Sequence, residues 1–288
     1  MSVDVLQDKI RKTKNPTVVE LGLSVAELPT QFSRDASGYA AFCRELLGAL
    51  KGIVPAVRVS FASFALLGCD GLNALAEVLK TADNLGFYVI LDAPEIFSVK
   101  AAEQTAASIF GVDSIFPCDA LVIMGYLGSD AIKPFLPYCR EKKKDLFVVV
   151  RTSNKSAPEL QDLLAGSRVV HMAAADHVNR YGGDTAGKYG YTQVGILAGA
   201  STAQGLKNLR TKYPKLFMLL DGADYPNANA KNCSNAFDKF GHGAAACVCD
   251  SLTCAWKQTE SDGSDFTVHA VAAAERMKKN LTRYVTVL

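Results

Sequence analysis

The segment Phe87–Phe97, "FYVILDAPEIF", sets the terms for the whole chain. Its first five residues are apolar without interruption, so a strand built from them has no wet face and must be covered on both sides. The run stops at Asp92, an acid at the tip of a buried strand, and passes at once into Pro94, which cannot donate to a continuing ladder. A strand buried on both faces that delivers a charged residue at its end belongs in a parallel sheet, where function collects at the carboxyl ends of the strands.

The same grammar recurs on either side. "TVVELGL", "AVRVSF", "DALVIMG", "LFVVVR", "TQVGILAG", "LFMLLDG" and "AAACVCD" join "FYVILD" to make eight candidate strands. The stretches between them carry helical spacing, as in "CDGLNALAEVLKTADNLG", where Leu72, Leu75, Val78 and Leu79 recur at threes and fours before a terminal glycine. Eight βα units without a linker predict a single α/β domain over residues 1–288 that closes as a (β/α)8 TIM barrel. A doubly wound open sheet is the alternative, because closure leaves no mark on a sequence.

The two longest connections also fall on the side where strands end. Residues 164–191 read as an extra helix followed by a glycine-rich loop, and "GADYPNANAKNCSNA" follows the seventh strand.

Composition excludes several classes of function. With 31 basic and 29 acidic residues the net charge is +2, and the one tight basic run, "REKKKD", sits at a predicted helix end where cations suit the helix dipole. Nucleic acid and membrane are therefore not expected as partners. The opening "MSVDVLQDKIRKTKN" has no apolar signal core, which predicts a cytoplasmic location. The eight cysteines are scattered through apolar segments like reduced thiols. Cys247 and Cys249 stand two apart on a strand and so share a face, which core packing explains as well as a metal does; no metal and no cofactor is expected. His171 and His177, six apart on one predicted helix, point to different faces.

The order of motifs resembles the orotidine 5′-phosphate decarboxylase family, in its longer bacterial branch, through nearly the whole chain. "LGLSVAELP", "AVRVSFASFALLG", "VILDAPEIFSVKAAEQTA", "DALVIMGYLGSDAIKPFL", "VVVRTSNKSAPELQ", "VGILAGAS", "LLDGADYPNA" and "GAAACVCDSLTCAW" are similar to the family's eight strand-end motifs, in order. The resemblance implies a pyrimidine-nucleotide lyase site built from an alternating lysine and aspartate network, with a lysine that stabilises a carbanion and delivers a proton.

Set on that pattern, Arg58 stands at the first lysine and Asp92 at the first aspartate. Pro94 takes the place of the proton-donating lysine and Phe97 that of the second aspartate. Ser24 replaces an aspartate that contacts ribose. The phosphate loop reads Pro226, Asn227, Ala228, and the phosphate arginine reads Ser251. Ser153 and Asn154 keep the pair whose serine holds the pyrimidine edge in the family.

Asp92 and Arg58 are thus the catalytic remnants, and Ser24, Ser153, Asn154, Asp221, Asp224 and Tyr225 the candidate ligand contacts. Each has a plainer alternative: Asp92 as a helix cap, Asp221 and Asp224 as turn formers, Tyr225 and Asn227 as ordinary loop residues. Three functional readings follow. The chain is a family homologue that does not decarboxylate and is retained for binding, regulation or an unknown partner; or it performs altered chemistry at the same mouth with Asp92, Arg58, Glu95 or Asp221; or it decarboxylates with Lys100 as a substitute cation. The second requires a mouth left open by Phe97 and Pro226. The resemblance also implies a homodimer.

Overall fold

A computed structural model of the chain describes residues 2–93 and 96–288. Its eight parallel strands are β1 (Thr17–Leu21), β2 (Ala56–Ser60), β3 (Tyr88–Asp92), β4 (Ala120–Met124), β5 (Asp145–Arg151), β6 (Thr192–Gly199), β7 (Leu216–Asp221) and β8 (Ala244–Val248). Each pairs with its neighbours in chain order, and β1 pairs with both β2 and β8, with Val18 beside Ala56 and Thr17 beside Ala246. The barrel is closed, which removes every edge strand and decides against the open sheet. All eight strands fall on the eight apolar runs.

Strand parity sorts the side chains into two cores. Val18, Ala56, Tyr88, Ile90, Phe147, Phe217 and Leu219 face inward and fill the barrel; the alternate residues, such as Val19, Val57 and Leu91, face the surrounding helices. The floor is sealed by the N-terminal helix Ser2–Thr13, whose Val3, Leu6 and Ile10 are buried against that inner core. Asp4 fastens this helix by accepting backbone N–H bonds from Lys188 (3.1 Å) and Tyr189 (3.3 Å). The sequence reading had no place for this plug.

The long connection after β5 contains the expected helix, Val170–Gly182, but a short antiparallel hairpin, Leu164–Ala165 with Arg168–Val169, precedes it. His171 and His177 both lie on that helix, and His171 Nδ1 is 2.9 Å from the Gln161 carbonyl and 3.1 Å from Asp162 Oδ1. The basic run closes helix Leu136–Lys142, with Lys143 in the left-handed conformation just past its end. All eight cysteines are free thiols. Among the described residues no helix is long and apolar enough to cross a membrane.

Candidate active site

The inward parity that packs the barrel also aims charge at its mouth. Glu20, Arg58, Asp92 and Asp221 continue the inward rows of β1, β2, β3 and β7 and meet at the carboxyl ends of the strands. Arg58 is the centre. Its Nε donates to Asp92 Oδ1 at 2.7 Å, and its Nη1 donates to Asp221 Oδ1 at 2.7 Å and Glu20 Oε2 at 3.0 Å. Nη2 is the guanidinium nitrogen left without a protein partner among the described residues.

The guanidinium is 9% exposed, whereas its three acids are 20–24% exposed and look toward solvent. Burial works against the arginine's charge, but Asp92 and Glu20 overcome it and hold the proton more tightly than on a free arginine. Three carboxylates face one cation, so the mouth carries surplus negative charge when all are ionised. The surplus falls on Glu20. Burial raises its pKa to about 7; Arg58 pulls it down, and Asp92 and Asp221 push it back up.

Glu20 is the site residue that the motif comparison passed over, because the matched first-strand motif begins at Leu21. Parity was the available signal. Glu20 is the lone acid in "TVVEL", shares the inward row with Val18, and sits opposite Arg58 in the β1–β2 register.

The other candidates divide into three groups. Ser153 joins the network, its hydroxyl donating to Asp221 Oδ2 and so fixing that carboxylate's orientation. Asp92 is no helix cap: Ser98 caps the helix Val99–Phe110 by accepting from Ala101 N at 3.1 Å, which frees Asp92 for Arg58. Asp221 likewise is an ion-pair residue and not a turn former.

Asp224 lies beside this network and does different work. Its Oδ2 accepts the backbone N–H groups of Cys249 and Ser251, both at 3.1 Å, at the start of the short helix Asp250–Thr253. The chain's own carboxylate therefore sits on N–H groups that would otherwise face an anion. Tyr225 is 45% exposed, and burial together with the field of Asp221, Glu20 and Asp224 raises its phenol's pKa. Its ring packs over Gly222, whose φ of +64° and lack of a Cβ, which would lie 2.7 Å from that ring, make the turn possible.

Ser24 and Asn154 stand outside the network. Ser24 is exposed and accepts from Ala26 N at 3.3 Å, completing a capping box with Glu27; Asn154 accepts from the Thr152 hydroxyl. Phe97 is 80% exposed and Pro226 is exposed, so neither plugs the mouth. Lys100 is exposed in the first turn of its helix and bonds none of the acids. Pro94 and Glu95 lie outside the described residues.

A closed parallel barrel with an ionic cluster at the carboxyl ends of its strands places the chain among the (β/α)8 barrels that carry their site at the mouth. No family model matches it. It is 29% identical over 293 residues to the orotidine 5′-phosphate decarboxylase of Rhodopirellula baltica, covering 96% of this chain and 97% of that one. Against the orotidine 5′-phosphate decarboxylase of Clostridium novyi it is 27% identical over 286 residues, covering 98% of each. The solved Leishmania donovani OMP decarboxylase shares the fold, with a TM-score of 0.76 at 23% identity and 98% of both chains covered. The chain is a homologue of the orotidine 5′-phosphate decarboxylases.

Proposed function

We propose that this barrel no longer decarboxylates orotidine 5′-phosphate and instead holds a small polar molecule at its mouth. One observation carries the reading: the cation bonded to the mouth's acids is an arginine. Decarboxylation leaves a carbanion that needs a nearby cation able to give up a proton. Arg58 supplies charge but holds its proton too tightly to transfer it, and its Nε and Nη1 are already committed to carboxylates. The position that the resemblance assigns to the proton-donating lysine is Pro94 in the sequence.

The phosphate side supports the same reading. Ser251 stands where the resemblance puts a phosphate arginine, and Asp224 occupies the Cys249 and Ser251 N–H groups with negative charge. A phosphate dianion arriving there meets a carboxylate. A neutral ligand with both donors and acceptors suits the mouth better: the acids accept, and Arg58 Nη2 donates. Pairing of two chains, as the resemblance implies, belongs to this reading, and sedimentation equilibrium measures it.

The test is product formation. Purified protein at high concentration is incubated with orotidine 5′-phosphate, and uridine 5′-phosphate and carbon dioxide are assayed beside an Asp92→Asn control. No product above the control is expected; turnover that the control loses would overturn the proposal.

A second reading is favoured by Glu20 alone. A carboxyl with a pKa of about 7 in a partly solvated mouth is poised for general acid–base work on a different substrate. Such an activity would follow a pH profile with a limb near 7 that Glu20→Gln removes; a profile flat through neutrality would contradict it.

A further inference from the structure

Behind the loop that follows β7, two joined cavities run along the C-terminal helix Phe266–Thr282 and the residues just beyond it. One is about 480 Å³ and takes in Lys231 and Arg283; the other is about 230 Å³ and takes in Asp224 and Arg276. Met277 and Asn280 line both, so the two form one groove. The steps from Arg276 to Asn280 to Arg283 are four and three residues, which sets these side chains along one face as the chain leaves the helix. The larger cavity alone is of the size that ordinarily takes a small molecule.

The charge in this groove is unspent. The side chains of Lys231, Arg276 and Arg283 have no partner among the described residues. Elsewhere on the surface Arg44, Arg140 and Arg168 each hold an acid. The groove's acid is Asp224, and only half of it is used. Oδ2 takes the two backbone N–H groups, while Oδ1 is buried without a hydrogen-bond partner. A buried carboxylate oxygen left bare is costly, so the site is short of one donor as well as one anion.

We propose that this groove, which meets the phosphate side of the mouth at Asp224, Ser251 and Ala228, is a binding site in its own right for a small organic anion. Its phosphate or carboxylate group lies among Lys231, Arg276 and Arg283, and an N–H or O–H on the same molecule donates to Asp224 Oδ1. The complementarity is two-sided. A bare anion satisfies the cations and leaves Oδ1 unpaired, whereas an anion with a donor satisfies both.

Isothermal titration calorimetry on the full chain separates these cases with three probes. Methyl phosphate offers the anion alone, O-phosphoethanolamine adds an ammonium donor, and β-alanine carries that donor on a carboxylate. Wild-type protein is expected to bind at least one donor-bearing probe saturably, one per chain, and O-phosphoethanolamine at least tenfold more tightly than methyl phosphate if phosphate is the preferred head. Binding of β-alanine alone would assign the head group to carboxylate. Arg276→Gln with Arg283→Gln, both exposed positions, is expected to weaken binding tenfold or more. Asp224→Asn keeps an acceptor for Cys249 and Ser251 and is expected to abolish the advantage of the donor. Asp92→Asn, at the mouth, is expected to change nothing. No saturable binding of any probe, binding that survives the double arginine variant, or binding lost in Asp92→Asn would overturn the proposal.

Discussion

Two acids at opposite ends of the same barrel show two ways of holding a carboxyl. Asp145, at the start of β5 near the floor, is fully buried and has no cation; its Oδ2 bonds the Tyr88 hydroxyl and its Oδ1 has no partner. Burial drives its pKa well above the ordinary carboxylate value, with the Tyr88 bond opposing, so its surroundings favour the protonated form. Glu20, at the other end of the barrel, shares an arginine with two aspartates and sits on the edge of ionisation. The floor disfavours charge and stays closed. The mouth keeps charge where solvent and a ligand can reach it, which is what a site requires and a plug does not.

The sharpest way to break this contrast is to remove the cation. Arg58→Met is expected to cost about 3–5 kcal/mol at pH 8, since it leaves three carboxylates together without a partner. Part of the loss should return at pH 5 as Glu20 takes up a proton. Urea denaturation at the two pH values measures both; an equal loss at each would mean that Arg58 acts through packing alone.

Glu20 gives the next largest effect, and its sign is opposite. Its folded pKa lies above its ordinary value of 4.5, so the folded state holds the extra proton. Its contribution to stability is full below 4.5 and is lost as the pH rises through about 7. Glu20→Gln, which still accepts from Arg58, is expected to gain about 1–3 kcal/mol at pH 8 and to flatten the stability profile between pH 5 and 7. A variant that keeps the wild-type slope would place the titration elsewhere.

Asp145→Asn should do the least, about 1 kcal/mol or less, because the amide keeps an acceptor for Tyr88 and buries no charge. It should also remove the part of the pH dependence that Asp145 supplies, since a raised pKa makes that contribution vanish as pH rises. Thermal melts of the two proteins over a rising pH series would show the difference, and parallel curves would mean that Asp145 does not contribute to the pH dependence.

The fold was legible because its signal is repeated. Eight runs, each too apolar for a half-wet sheet, can be misread at one place without changing the architecture, and the observed strands lie within them save that β5 begins one residue earlier, at Asp145. The N-terminal helix was not legible as a plug, because an amphipathic dozen residues look the same on a floor as on a flank. At the site, Arg58, Asp92 and Asp221 could be found because they stand at strand tips. Their union could not, since closure is what brings β7 within reach of β2. Glu20 was overlooked for a local reason: it precedes the tip, and only its inward parity marks it. Ser24 shows the reverse case, a position matched by motif whose side chain caps its own turn. Asp224 shows a third case, where a strand-tip acid turned back onto the backbone of the next loop.

The account rests on a mouth that holds more carboxylates than its arginine can neutralise, and Glu20 reports that surplus. The direct measurement is a carbon-13 NMR titration of the glutamate side-chain carboxyls, with the Glu20 resonance assigned by its absence in Glu20→Gln. A midpoint near pH 7 that moves down in Asp221→Asn is the predicted result. A midpoint below 5 that ignores Asp221 would mean that Arg58 satisfies all three acids, and that the mouth carries no surplus charge for a ligand or a proton to answer.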